Sequence, residues 1–263
     1  MTEHERLIEQ LAREVARRRW GKYRGFVAEN VDPDLRGRLK LRVPSVYGLE
    51  VSDWALPCVP FGGAAGHGLY LLPEPDDMVW VEFEEGDIDR PIWSGCMWPP
   101  ASAVPEPGRR TLRTPKGHQI ELVDVDDEEA VAIRHAGGAK LEIDPAGTVL
   151  LADQSGGSVT LDAENEALVI TDKHGNAVRM DSSGITIEDT NGNKLIMDSS
   201  GVAIEDANGN KLAMATSGVA VEDASGNKLA MEASGVAVED ASGNKLAMEA
   251  SGVTITGTAV DIA

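Results

Sequence analysis

The residues best placed to do chemistry lie in a short acid–amide motif near the end of the chain. Asp206, Asn208 and Asn210 follow one another at the one-three-five spacing with which calcium loops present oxygen ligands. The rest of such a loop is missing: Gly209 falls at its fourth position instead of the sixth, Lys211 holds the sixth, and no glutamate closes twelve residues. The nonapeptide pattern of calcium β-rolls does not occur either. Asp and Asn here read as turn formers on a solvated surface. His4, His67, His118, His135 and His174 are scattered, and there is no Gly-x-Ser-x-Gly elbow to hold a nucleophile. Glu84 and Glu85 are adjacent in a turn, whereas sugar hydrolysis needs two carboxyls held apart across a cleft. Cys58 and Cys96 form no Cys-x-x-Cys pair and read as two buried, reduced thiols. No residue set qualifies as catalytic, metal-ligating or cofactor-binding, so the expectation is a structural protein without enzymatic activity or cofactor.

Charge narrows the partners. With 24 basic and 44 acidic residues the net charge is −20, which argues against nucleic acid because phosphate binding requires clustered Lys and Arg. A hydrophobic content of 42% fits a folded chain with a self-avoiding surface. The N-terminus carries charges where a signal peptide has its apolar region, and there is no run of eighteen apolar residues. The expectation is synthesis in the cytoplasm, without a signal peptide, as a soluble product.

Four segments must position whatever the chain presents. Residues 1–20 predict a helix over 2–20, with a capping box from Thr2 to Glu5 and an apolar face of Leu7, Leu11 and Val15, broadened by Ile8 and Ala12. Arg17, Arg18 and Arg19 close it, as a solvated helix end or as part of a docking surface. Residues 21–98 hold every other aromatic and alternating stretches such as "GRLKLRV" and "DMVWVEF", the pattern of a small β-barrel. Residues 99–116 are proline-rich and read as an extended linker. Residues 117–263 contain no Trp, Tyr or Phe.

That last segment is a repeat. "SSGITIEDTNGNKLIMD" begins at Ser182, with relatives at Ser199, Thr216 and Ala233, so the regular repeats span 182–249. A degenerate copy runs from Asn165 to Asp181, and "GHQIELVD", "GAKLEID" and "GSVTLD" are looser versions. In one unit Val202 and Ile204, then Leu212 and Met214, alternate with polar or small neighbours and mark two short strands. "ANGN" and "SG" are the turns between them. Val219, Val221, Leu229, Met231, Val236, Val238, Leu246 and Met248 occupy the same places in later units and make up the expected core. One unit cannot repay its own ordering entropy, so neighbours must pair its backbone and cover its apolar face. Periodicity alone leaves open whether these neighbours are coils of one chain or other copies.

Several stretches carry a resemblance. "YRGFVAENVDPDLRGRLKLRVPSVYGLEVSDWALPCVPFGG", "YLLPEPDDMVWVEFEEGDIDRPIWSGCMW" and "RTPKGHQIELVD" resemble the OB-fold module of baseplate assembly protein V and VgrG-type spikes, and its passage into the spike. The resemblance rests on Gly37-Arg38, Asp53-Trp54-Ala55, Pro73 to Asp77 and "FEEGDIDRPIWSG", with Trp54, Val79, Trp80 and Phe83 as core or interface residues. It implies an all-β fold in which an N-terminal helix and an OB-fold barrel precede an intertwined trimeric β-helix. It also implies a homotrimeric central spike of a contractile phage tail, tailocin or related injection system. Alanines such as Ala203, Ala213, Ala220 and Ala230 would then keep the spike thin.

The resemblance implies partners too. No hub domain precedes the barrel, so a separate hub protein would sit at that end, with Leu7, Leu11 and Val15 as a candidate contact. The linker is too short for an inserted muramidase domain. No His-x-His pair occurs near the C-terminus to bind iron, so a separate PAAR-type tip protein would dock on Val253, Ile255, Val260 and Ile262. Contractile tube and baseplate proteins and a target membrane would be the remaining contacts. Two other classes stand beside this reading: a trimeric surface adhesin, and a spike that degrades peptidoglycan.

Overall fold

The computed structural model describes residues 3–64, 66–100 and 106–259. It forms two compact units, Met1–Val104 and Pro105–Ala263. The protein is all-β apart from short helices: a helix, an OB-like sheet and then a long antiparallel sheet of regular strands.

In the first unit, helix α1 covers Glu3–Arg17, with Glu3 and Glu5 in its first turn and Arg17 in its last, as the helix dipole favours. Thr2, the predicted cap, lies outside the described residues. Arg18 and Arg19 do not simply end the helix in solvent. The Arg18 guanidinium donates to the Glu85 carbonyl at 2.5 Å, and the Arg19 N–H donates to the Gly86 carbonyl at 2.9 Å.

Strands β1 (Tyr23–Glu29), β2 (Lys40–Arg42), β3 (Leu56–Pro57), β4 (Met78–Phe83) and β5 (Pro91–Cys96) form one sheet in the order β2-β1-β4-β5-β3. In β4 the alternation of "MVWVEF" turns Val79, Val81 and Phe83 inward, where they join Val27, Leu39, Leu41, Val43, Ala55 and Trp93. Trp80 points the other way and is half-buried, and Trp54 lies beneath Arg38 and Lys40 at 5.5 and 5.0 Å from its ring centre. Asp32, only 4% exposed, accepts the backbone N–H groups of Asp34, Arg36 and Arg38 as well as the Arg38 guanidinium, and so pins the loop entering β2. Both cysteines are free and exposed, against the expectation of buried thiols: Cys58 follows the end of β3, and Cys96 is the last residue of β5, where it faces Val79 of β4.

The second unit is a meander. Seventeen strands run from β6 (Arg109–Arg113) to β22 (Gly252–Thr256), numbered in chain order, and each pairs antiparallel with the next through sixteen registers. The strand order runs on from β22 to β6, although the described residues show no register between those two. In chain order the sheet's first and last strands are β6 and β22. It begins inside the stretch read as linker, because Leu112 of β6 has an apolar partner in Ile120 of β7 (Gln119–Val123). Strands Ala130–Arg134 and Val149–Ala152, which no repeat motif marks, fill the places between the looser copies.

Within the regular repeats one step is two hairpins. Asp198 faces Gly201 across the two-residue loop Ser199-Ser200, and Glu205 faces Lys211 across the loop Asp206–Asn210. Glycine is required in the first loop. At φ +141 a Cβ on Gly218 would run into the Met231 carbonyl oxygen, and Gly184, Gly201 and Gly235 meet the same obstacle one step away.

Candidate functional site

Alternation along each strand and direct facing between strands bring the predicted core residues into two continuous rows on one face of the second sheet. One row passes Leu195, Ile204, Leu212, Val221, Leu229, Val238, Leu246 and Ile255, each the Cα partner of the next. The other passes Met197, Val202, Met214, Val219, Met231, Val236, Met248 and Val253. All twelve residues proposed as repeat core lie on these rows. Upstream the rows continue back to Leu112 and Leu122 through the copies whose sequence motif has decayed.

The rows are not a core within this chain. Ile204 is 47% exposed and Val238 48%, and their neighbours are similar. Depressions on this face, of about 610 and 960 Å³, are floored by residues of the rows, including Ile187 and Leu195 in one and Leu229 and Leu246 in the other. The chain's accessible surface is 18176 Å², roughly 7,000 Å² more than the ~11,000 Å² of a compact chain of 27.9 kDa.

The opposite face differs. Its central row is Ala203, Ala213, Ala220, Ala230, Ala237 and Ala247, flanked by the facing pairs Glu205–Lys211, Glu222–Lys228 and Glu239–Lys245. A period of two puts these alanines, expected to keep the spike thin, on the charged side, away from the apolar rows. Ala230 and Ala247 are nevertheless 9% and 7% exposed.

The acid–amide motif does something the sequence reading missed. Asp206 Oδ1 accepts the N–H groups of Asn208 and Asn210, both at 2.9 Å, and its Oδ2 accepts the Asn210 amide at 2.6 Å. The Asn210 amide and then these N–H groups hold the Asp206 carboxyl down at about 2, and Asp189 likewise through Asn193 and its own turn. Its acceptors are thus committed to its own turn. Each terminal Asn then reaches the following turn: Asn193 Oδ1 accepts the N–H of Ala207 at 3.1 Å, and Asn227 that of Ala241 at 3.1 Å. The signal was present in the sequence, since only the fifth position of "DANGN", "DASGN" and "DTNGN" is always the same amide.

The other predicted sites fare as follows. Leu7, Leu11 and Val15 lie on α1 with 57%, 58% and 64% of their surface exposed, and no residue of α1 is buried. Val253 and Ile255 of β22 end the two rows and are exposed, whereas Val260 and Ile262 lie outside the described residues. His118 and His135 pack ring to ring at 4.5 Å, and each accepts a backbone N–H on Nδ1. Among the described residues no group of three His, Cys, Asp or Glu side chains could hold a metal ion. No helix among them is long and apolar enough to cross a membrane.

Residues 23–98 match the family model of the type VI secretion system/phage-baseplate injector OB domain. No curated protein matches the chain. Among solved structures, the TCP domain of SAS-4 from Drosophila melanogaster, in complex with a proline-rich motif of Ana2, aligns over 62% of this chain and 97% of its own at 14% identity, with a TM-score of 0.33. The wild-type TCP10 domain of Danio rerio CPAP aligns over 56% and 99% at 16% identity, with a TM-score of 0.29. Scores so low carry no argument about this protein. The match at 23–98 falls on the residues "YRGFV" to "GCMW" that carry the sequence resemblance, and a ladder of regular strands follows it in the chain; residues 23–98 are a baseplate injector OB domain, which supports a spike of the baseplate assembly protein V/VgrG type.

Proposed function

We propose that this protein is the structural central spike of a contractile tail or injection-system baseplate, a homotrimeric needle that sits on a separate hub protein and is driven through a target envelope. The observation that carries the reading is the pair of apolar rows, half-exposed along the whole second sheet. Apolar surface on that scale is what an assembly interface presents, and standard interfaces bury only about 1,600 Å². The number three comes from the family resemblance. The hub would meet the OB-fold end, with the exposed face of α1 as one contact.

At the other end the rows stop at Val253 and Ile255, beside an edge of β22 for which the described residues show no register, which suits a separate tip protein that adds its own strands. The spike acts mechanically in this reading, with no cofactor and no bond-making step. Light scattering on the purified chain tests it. Three times the chain mass is expected, and a monomer with its β signature intact would overturn the proposal. Removing Thr254 to Ala263 should leave the trimer and abolish capture of the tip protein.

A further inference from the structure

We propose that Asn191 and Asn208 are sites of spontaneous deamidation, each closing a cyclic imide with the glycine that follows it, and that opening of the turn sets the rate. Five consecutive residues suffice for each site. Neither depends on the spike reading or on which copy supplies a neighbouring strand.

Of the nine asparagines in the chain, only Asn191 and Asn208 precede a glycine. Both are exposed. The nucleophile in such a reaction is the main-chain nitrogen of the next residue, and glycine has no Cβ to shield it. The asparagine two places further on in each turn is held differently. Asn193 and Asn210 donate their amides to Oδ2 of Asp189 and Asp206 at 2.7 and 2.6 Å, and each is followed by a lysine. Asn191 and Asn208 reach the same oxygens only at 3.2 and 3.4 Å, the long end of a hydrogen bond. Their carboxamides are the ones that can swing towards the main chain.

The closed turn opposes the attack. The Gly192 N–H donates to the Asp189 carbonyl at 3.1 Å, and the Gly209 N–H to the Asp206 carbonyl at 3.0 Å. Oδ1 of Asp206 clamps the N–H groups on either side, those of Asn208 and Asn210, both at 2.9 Å. The glycine nitrogen must leave its bond before it can reach carbon, so the reaction runs through a locally opened turn. There the Gly209 nitrogen loses its proton to solvent and forms a bond to Cγ of Asn208. The Cγ–Nδ2 bond breaks, and the amide nitrogen takes up a proton and departs as ammonia. Water then opens the imide at one carbonyl or the other and leaves aspartate or isoaspartate at 208. No oxidant or cofactor enters.

The two products strain the turn in different ways. Later turns carry Ser225 and Ser242 at this place, each with its N–H on the opening aspartate at 2.9 Å, so the amide itself is dispensable. An aspartate, however, sets a second carboxylate against that of Asp206. Isoaspartate adds a methylene to the main chain, inside a loop closed by the Asp206 N–H on the Asn210 carbonyl at 3.0 Å.

Peptide mapping of the full-length protein, held for weeks in mildly alkaline buffer, tests the proposal. Mass spectrometry reads each amide exchanged for an acid, and an isoaspartate-specific methyltransferase marks the rearranged product. Conversion is expected at Asn191 and Asn208 ahead of every other asparagine, and several-fold faster at both in urea. Asp206→Ala should speed conversion at Asn208 several-fold and leave Asn191 at the parent rate. Asn208→Ser, which copies the later turns, should abolish conversion there and keep the melting midpoint of fresh parent protein. Another asparagine converting first, or no conversion even in urea, would overturn the sites. A folded rate equal to the rate in urea would overturn control by the turn, and this comparison decides the matter if Asp206→Ala does not fold.

Discussion

The side-chain oxygen of Asn210 accepts the backbone N–H of Ala224, fourteen residues further on, at 3.1 Å. Asn176 does the same for Thr190 at 3.2 Å, and Asn193 and Asn227 repeat it at 3.1 Å. These N–H groups lie in the loops, beyond the reach of the strand registers. The asparagines therefore form a second ladder along one margin of the sheet, and each also donates its amide to the Asp that opens its own turn.

Replacing Asn210 by Ala should remove both bonds and cost about 0.5–1.5 kcal/mol per bond in each chain. Asn210→Asp should cost more, because it loses the amide donor and sets a second negative charge beside Asp206. Thermal unfolding of the two variants checks the order. Equal midpoints for both variants and the parent would mean that the inter-turn bonds do not hold the ladder.

The glycines of the two-residue loops give a sharper contrast. Gly218 and Gly252 share the left-handed region, at φ +141 and +132, so alanine at either position is strained by about 1–3 kcal/mol. At Gly218 the added methyl must also displace the Met231 carbonyl, whereas at Gly252 the described residues leave the space open. Gly218→Ala should lower the unfolding midpoint well beyond Gly252→Ala in the isolated protein. If a tip partner adds a strand at β22, Gly252→Ala should weaken that binding as well, with a stability cost limited to the backbone strain.

Much of this was legible in the sequence, for a physical reason. Strands of period two joined by turns rich in Gly, Asn and Asp are local features, so Val202, Ile204, Leu212 and Met214 declared their strands and their shared face. Register is not local, and it was the register that revealed the rows running back to Leu112 through copies whose letters had drifted. Strand β6 was hidden by the prolines around it. The role of Asn210 needed a contact fourteen residues away, and nothing in one repeat unit displays it.

Acid should loosen the turn ladder. The carboxyls of Asp172, Asp189, Asp206, Asp223 and Asp240 are all held below their ordinary value, each first by the amide of the Asn four residues on, and Asp189 and Asp206 lie at about 2. A carboxyl whose folded pKa is depressed stabilises the fold above its unfolded value of about 3.9 and stops doing so as pH falls through the folded one. Unfolding midpoints should thus be level through neutral pH and drop between about pH 4 and pH 2. Asp206→Asn combined with Asp189→Asn should be less stable than the parent at pH 7 and close to it at pH 2. A difference that stays constant across that range would rule out titration of these turns.

The last prediction concerns which face is covered. Val236 faces Met231 and Met248, and Leu246 faces Val238 and Ile255, on the apolar rows. In a lone chain an aspartate at either position would keep one side in water and cost little beyond lost packing. In a trimer whose apolar faces meet, Val236→Asp or Leu246→Asp brings three carboxylates together in a space without partners for them, at a cost of several kcal/mol per trimer. Glu239 and Lys245 pair across the other face at 3.8 Å and are both substantially exposed, so Glu239→Ala or Lys245→Ala should change stability by about 0–1 kcal/mol. Unfolding midpoints together with native mass read the contrast: the aspartate variants should melt early and lose their trimeric mass, and the alanine variants should match the parent. Equal shifts in the two groups would mean that the apolar rows face solvent in the working assembly, and the packing of copies through them would have to be given up.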